Sequence, residues 1–382
     1  GSGIILIAAN SLVEWNNITM GGGNTRGIRM GSAGGYGVDN NTISNNNISG
    51  AGYGILSLEG LGHIVDNNYL SGSVTSGIEF SANSVTNVKV RGNRILTGTT
   101  GITIPSGSNA QYFIISNNTI TSTSGSSNGI VLSGSSNVTV LNNSITVSGG
   151  SAGSGILITN SASNNSIVNN TITATTSSNI GISLTTGVIQ NNTIYNNFIN
   201  TTADSILLTG VIGNFNNFSI NLTLGSNVFG GSSLGGNFYA NSTTAANGYS
   251  YTCRDADENG ICDSARVFGT NNNTDFHPLS SRIVVESPTF LNNGTNSSSP
   301  KKTEQVGLSI NATDNGIISF ITVQHNFTGI GFLNQSIFVN GTQMNVTFNI
   351  STNQSRGAQI AFKFYVNDSL GNTNSTVLRL LT

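Results

Sequence analysis

The chain has 382 residues and a formal net charge of −2, and charged side chains are only 7% of it, against about a quarter in ordinary globular proteins. That excludes an electrostatic case for nucleic acid or an anionic membrane as partner. Gly, Ser, Thr and Asn dominate, and no apolar run approaches the ~20 residues that span a bilayer.

The N-terminal stretch GSGIILIAAN lacks the basic region of a signal peptide and reads as a mature or trimmed chain entering mid-repeat. A Gly-Ile pair then recurs from Gly3, Gly27, Gly54, Gly77, Gly101, Gly129, Gly155 and Gly181, with Ser205-Ile206 as a ninth member and a period near 25 residues. Between these pairs runs a column of asparagines: Asn68, Asn93, Asn118, Asn143, Asn170 and Asn192. Val65, Val90, Ile115, Val140, Ile167 and Ile189 stand three residues before them, and Leu70, Ile95, Ile120, Ile145, Ile172 and Ile194 two after. Short alternating strands at this period predict an all-β fold, a parallel β-helix over residues 1–240, whose coils stack ~4.8 Å apart.

Asparagine is a poor strand former. At a tight bend an inward Asn bonds its amide to the Asn above and below, as in cross-β stacks. The column is therefore read as a structural ladder, with plain turn composition as the alternative. The residues after the Gly-Ile pairs point outward: Ile5, Arg29, Leu56, Glu79, Thr103, Val131, Leu157, Ser183 and Leu207. Five of these nine are aliphatic, which marks either strand propensity or a face covered by another domain or subunit.

Coil regularity fades after Asn200. An aromatic segment, 215–239, leads into a closing region, 241–281, that contains CRDADENGICD. Asp255, Asp257, Asn259, the Ile261 carbonyl and Asp263 follow the spacing of a calcium loop, but Arg266 stands where an EF-hand has its bidentate Glu. Structural Ca2+ is the expectation, and a solvated Asp/Asn turn the alternative. Cys253 and Cys262 bracket the loop as a candidate disulfide, which fits an oxidising compartment.

The GGNFY of 235–239, CRDADENGICD, the TDFHPL of 274–279 and the Asn-Asn-x-Ile coils resemble archaeal extracellular proteins of the NosD-like right-handed β-helix family. The resemblance covers roughly residues 1–280. It implies the fold and an extracellular or cell-surface setting, and the family includes surface and carbohydrate-binding proteins. The copper association of its namesake finds no support in three scattered His and three Met.

From about residue 282 to 382 the text becomes alternating strands with a DSLGN turn, which predicts an Ig-like β-sandwich. Of the 14 asparagines in 283–382, 11 stand in Asn-x-Ser/Thr sequons, where Ser/Thr content predicts about three by chance. They are Asn293, Asn296, Asn311, Asn326, Asn334, Asn340, Asn345, Asn349, Asn353, Asn367 and Asn374. In the coils the sequons are Asn17, Asn40, Asn47, Asn117, Asn137, Asn142, Asn164, Asn169, Asn191 and Asn200. Asn217, Asn221, Asn241 and Asn272 follow. The excess points to N-linked glycans.

No catalytic residue is assigned. The acids of residues 1–250 are Glu14, Asp39, Glu59, Asp66, Glu79 and Asp204, with no Asp-Asp pair. Arg29 and Glu79 share a column two coils, ~10 Å, apart. Lys89, Arg91 and Arg94 read as a solvated strand face, and His63 as structural. An enzyme is therefore disfavoured. The expectation is a glycosylated surface protein that polymerises head to tail through an uncapped first coil. A carbohydrate-binding or adhesive module that takes a cell-surface or extracellular polysaccharide is second, and a polysaccharide lyase or hydrolase third.

Overall fold

The computed structural model describes residues 1–31, 38–73, 75–81, 85–104, 110–210, 216–241, 248–255, 259–269, 273–281, 287–355, 357–368 and 372–381. The first part is a parallel β-solenoid of about eight turns. Three sheets run along it. Sheet A has nine strands, from Ser2–Leu6 to Ile206–Thr209; sheet B has eight short ones, from Leu12–Glu14 to Thr193–Tyr195; sheet C has nine, from Asn17–Thr19 to Phe238–Asn241.

The Gly-Ile column is in register through all nine coils: Ile4, Ile28, Ile55, Ile78, Ile102, Ile130, Ile156, Ile182 and Ile206 stack in sheet A. Glycine precedes isoleucine because sheet A meets sheet C there at close range. A Cβ on Gly155 would collide with the Ile172 side chain of its own coil and lie 2.7 Å from the Gly181 carbonyl of the next. In the ninth coil, the last of sheet A, Ser205 takes the position. The inward aliphatics of the three sheets merge into one continuous core.

Two columns slip where the sequence expectation meets the seventh and eighth coils. Ile167 pairs with Ile194, not Ile189, and Ile172 with Ile199, not Ile194. The cause is a doubled motif. Residues 189–199 contain the x-Asn-Asn-x-Ile unit twice, once at each end of the short sheet B strand Thr193–Tyr195, and periodicity alone aligned the first copy.

Past the last sheet A strand, the chain folds into a small closing region. It comprises the hairpin of Thr223–Leu224 with Ser233–Leu234, one helical turn at Tyr249–Thr252, and the pair Arg266–Val267 with Thr274–Asp275. Phe218, Tyr239 and Phe268 extend the solenoid core into this region, while Phe238, Ile261 and Leu279 form a separate small core.

The C-terminal part is one antiparallel, barrel-like sheet of six strands: Thr289–Thr295, Gln305–His325, Leu333–Ser351, Ile360–Asp368, Thr373–Ser375 and Arg379–Leu381. Gln305–His325 pairs along its length with Leu333–Ser351. On its other side it pairs first with Thr289–Thr295 and then with Ile360–Asp368. The register slips between Thr313 and Phe320, and the inward set changes from Leu308, Ile310 and Ala312 to Ile321 and Val323. Such a slip flips the buried face and lets one strand serve both halves of a core built on Phe327, Phe348, Phe362 and Phe364. Leu333–Ser351 pairs with one neighbour among the described residues and is an edge strand.

Candidate functional site: a polar ladder and its closing clamp

The most elaborate polar chemistry among the described residues is inside the solenoid. At the bend between sheets B and C, Asn16, Asn46, Asn68, Asn93, Asn118, Asn143, Asn170, Asn197 and Asn237 form one unbroken ladder. In each step up to Asn197 the backbone N and the Nδ2 of one asparagine both donate to the Oδ1 of the next, at 2.9–3.1 Å. From Asn46 on, the second Nδ2 hydrogen goes to a sheet B carbonyl of the preceding coil, as from Asn118 to Val90 at 2.9 Å. Every polar atom of a buried side chain is thereby satisfied, which burial demands.

The doubled asparagine has two jobs. The residue before the ladder Asn takes positive φ in every coil but the last: Trp15, Asn45, Asn67, Gly92, Asn117, Asn142, Asn169 and Asn196 lie between 52° and 64°. That is the left-handed region, which Gly adopts freely and Asn more readily than most side chains, and it explains why Gly92 replaces an asparagine. The sequon asparagines Asn117, Asn142 and Asn169 are these turn residues, exposed while their neighbours point inward.

Asn192 is not in this ladder, contrary to the column drawn from sequence. It belongs to a second ladder at the other end of sheet B, in which Asn165 donates to Asn192 and Asn192 to Asn216. Periodicity also missed Asn16, Asn46, Asn197 and Asn237, because the spacing is uneven at both ends.

All these donors point toward the C-terminal end, so the last rung needs a buried acceptor. Asp275 supplies it. Its Oδ2 accepts from Asn237 N at 2.8 Å, Asn237 Nδ2 at 3.4 Å and Tyr239 Oη at 2.8 Å, and its Oδ1 from His277 N at 3.1 Å. Two residues earlier, Asn273 Oδ1 accepts from Asn216 Nδ2 at 3.4 Å and ends the second ladder. One segment, 273–275, thus caps both. Gly236 has no Cβ because one would overlap the Asp275 carboxylate. Arg266, opposite Asp275 in the two-stranded pair, stacks its guanidinium over Tyr239 at 4.2 Å. Burial outweighs the four donated bonds and raises the Asp275 carboxyl to about 7. The quoted motifs GGNFY and TDFHPL therefore meet as a ladder cap.

The acidic loop lies beside this cap. Cys253 and Cys262 are disulfide-bonded. Asp255 is buried, and its two carboxylate oxygens accept from Asn259 N and Gly260 N, both at 3.1 Å. Asn259 Oδ1 accepts from Ile261 N at 2.8 Å, and Asp263 pairs with Arg254 at 3.4 Å. Asp257 and the sequon Asn272 lie outside the described residues.

On the rod's surface, Arg91 pairs with Asp66 at 3.2 Å and Arg94 covers Tyr69 at 5.3 Å, so these basic groups are engaged along strand registers. Arg29 and Glu79 flank Leu56 in one column, as their spacing predicted. His63 is buried in the second turn column. Its Nδ1 accepts from Asn41 N at 3.3 Å and its Nε2 donates to the Glu59 carbonyl at 2.9 Å. No group of three or more His, Cys, Asp or Glu converges among the described residues. In the outward column Ile5 is exposed, Leu56 and Ser183 are buried, and the others are half-buried.

Two family models match the coils. Residues 1–145 match one described as a right-handed beta helix region, and residues 107–244 match the periplasmic copper-binding protein NosD. The coils are a NosD-like right-handed β-helix. No curated protein matches the chain. Among solved structures, the A-module of mannuronan C-5 epimerase AlgE6 from Azotobacter vinelandii is 13% identical, covering 53% of this chain and 71% of that one, with a TM-score of 0.32. Tailspike protein 2 of an Escherichia coli O157:H7 bacteriophage is 12% identical, covering 99% of this chain and 64% of that one, with a TM-score of 0.25. The copper in the NosD description does not fit the residues of this NosD-like rod. His63 has both ring nitrogens engaged inside the solenoid, His277 is bonded to the Ile220 carbonyl, His325 lies in the C-terminal core, and Met30 is fully buried.

Proposed function

We propose that this is an extracellular, N-glycosylated structural protein without enzymatic activity, a rod that assembles with its own copies head to tail into a filament or surface layer. The observation that carries the reading is how the sequons are partitioned over the coils. Nine of the ten coil sequon asparagines are exposed; they stand on the two turns that flank sheet B and at the start of two sheet C strands. Sheet A has none, and its outward column is mainly aliphatic. Sugar on one side and a sparsely charged, sugar-free face on the other suit a protein that packs against copies of itself.

The ladders favour unlike ends. Every rung donates in one direction and the C-terminal end is closed by a carboxylate, so the rod is polar along its axis. A contact between unlike ends is heterologous, and it propagates into a filament where its rotation does not close a ring. The 241–281 region acts as a joint in which the disulfide and a Ca2+ held by the 255–263 loop stiffen the cap. The C-terminal sheet serves as an Ig-like, heavily glycosylated module.

Negative-stain electron microscopy of native material, with and without a calcium chelator, tests this. Filaments or sheets are expected, loosened by chelation. Uniform single rods under all conditions would sink the assembly reading and favour a polysaccharide-binding module, to be sought on a glycan array.

A further inference from the structure

Six aromatic side chains are exposed among the described residues: Trp15, Tyr112, Phe276, Phe320, Phe332 and Phe338. In a chain with so few charges their exposure needs a reason. Three of them stand two residues before a sequon asparagine: Trp15 before Asn17, Phe332 before Asn334, and Phe338 before Asn340. With 25 sequons in 382 residues, coincidence would put well under one of six there. The others are near sequons in space. Tyr112 is one coil away from Asn137 in the same turn column and shares a hollow with Asn137 and Thr139. Phe276 N donates at 3.1 Å to the hydroxyl of Ser219, the third residue of the Asn217 sequon. Phe320 lies directly across the sheet from Phe338.

We propose that these rings are platforms for the protein's own N-linked glycans, each receiving the apolar C–H face of the first pyranose. The inference rests on the glycosylated reading above. The best-built case is on the edge strand Leu333–Ser351. Val339 is buried there, while Phe338 (68% exposed) and Asn340 face out on either side of it. Residues two apart on a strand share a face, so a sugar on Asn340 reaches back over the Phe338 ring. Phe320 (46% exposed) packs edge-on to Phe338 at 5.3 Å and 73°, widening the apolar floor. Phe332, which immediately precedes this strand, and Asn334 have the same spacing six residues earlier. Pyranose C–H groups and aromatic faces attract by the same ring electrostatics and area burial that govern other aromatic contacts. A sugar seated there removes apolar surface from water and places bulk on an otherwise open sheet edge, where unprotected strands invite wrong pairing.

The test is a double-mutant cycle on protein made in a glycosylating host. Site occupancy is read by mass spectrometry, and the melting of Phe338→Thr is compared in the Asn340 and Asn340→Gln backgrounds. Both changes are at exposed positions and leave the core intact. The expected result is an occupied Asn340 and a Tm loss of about 3 °C from Phe338→Thr that disappears when Asn340 is Gln. An occupied site with equal Tm loss in both backgrounds overturns the inference and leaves the glycoprotein reading standing. No sugar on any sequon overturns that reading, and this inference with it. If deglycosylated protein binds an external oligosaccharide through Phe338, the rings serve a foreign pyranose and the proposal fails.

Discussion

The two turns that flank sheet B face the same task and solve it differently. One turn column is asparagine in every coil from Asn16 to Asn237. The other reads Ser11, Asn41, His63, Val88, Phe113, Val138, Asn165, Asn192 and Asn216. At Val88, Phe113 and Val138 the ladder is replaced by hydrocarbon, and Phe113 packs edge-on to Phe80 at 5.1 Å. Both solutions are stable because each is locally complete. A polar rung is tolerated where its neighbours accept and donate, and an apolar one where its neighbours fill the space. Mixed junctions are handled individually. Ser11 N donates to Asn41 Oδ1, and Val138 N donates to Asn165 Oδ1.

Two sets of substitutions test that contrast. The largest effect is expected at the cap. Asp275→Ala removes the acceptor for Asn237, Tyr239 and His277 together and should cost about 3 kcal/mol or more in denaturant unfolding, with hydrogen exchange rising first in the last coils. Asp275→Asn should cost less and also remove a pH dependence. The wild-type carboxyl titrates near 3.8 when unfolded and about 7 when folded. Between these values the unfolded chain has lost a proton that the clamp retains. Its contribution is full below 3.8 and is lost as pH rises through about 7. If wild type and Asp275→Asn show the same pH slope, Asp275 is not the titrating group.

Next comes a reciprocal swap. Asn118→Val leaves two donors of Asn93 without an acceptor and should cost about 2–3 kcal/mol. Val138→Asn places an Oδ1 where the ladder geometry would accept Phe113 N and an Nδ2 beside Asn165 Oδ1. It should stay within about 1 kcal/mol of wild type. Equal losses would mean that the two columns differ only in packing.

Much of this was legible in the sequence where the chemistry repeats. The Ile column, the stacked coils and the asparagines from Asn68 to Asn170 follow from period and residue type, since identical neighbours enforce identical spacing. Asn192 departs from the column because local motif and global register disagree there, and only strand pairing decides between two equivalent Asn-Asn-x-Ile units. Asp275 was out of reach. It stands in the quoted TDFHPL, 38 residues after its partner Asn237, and nothing in that motif says that its carboxyl closes a ladder. Gly236 and Tyr239 stand in the other quoted motif, GGNFY, and the purpose the two motifs share is a three-dimensional fact. The Cys253–Cys262 pairing was easy by contrast, because both residues bracket one short loop.

His63 supplies the smallest effect, and it runs opposite to the cap. It occupies a rung of the mixed column as an acceptor, which requires a neutral ring with Nδ1 unprotonated. Desolvation lowers its pKa from 6.5, against the opposing pull of the Glu59 carbonyl and Asp39. The unfolded chain then binds a proton before the folded coil does. Stability is full above about pH 6.5 and declines as pH falls below it toward the folded value. Comparing wild type with His63→Gln at about pH 7.5 and about pH 5.5 should show a larger acid loss for wild type, with exchange protection lost first in the coils around Val38 and Val65. The cap strengthens over the same acid range. Regional exchange should therefore shift protection from the early coils toward the clamp as pH drops, and a uniform response along the rod would mean that neither buried group controls its own end.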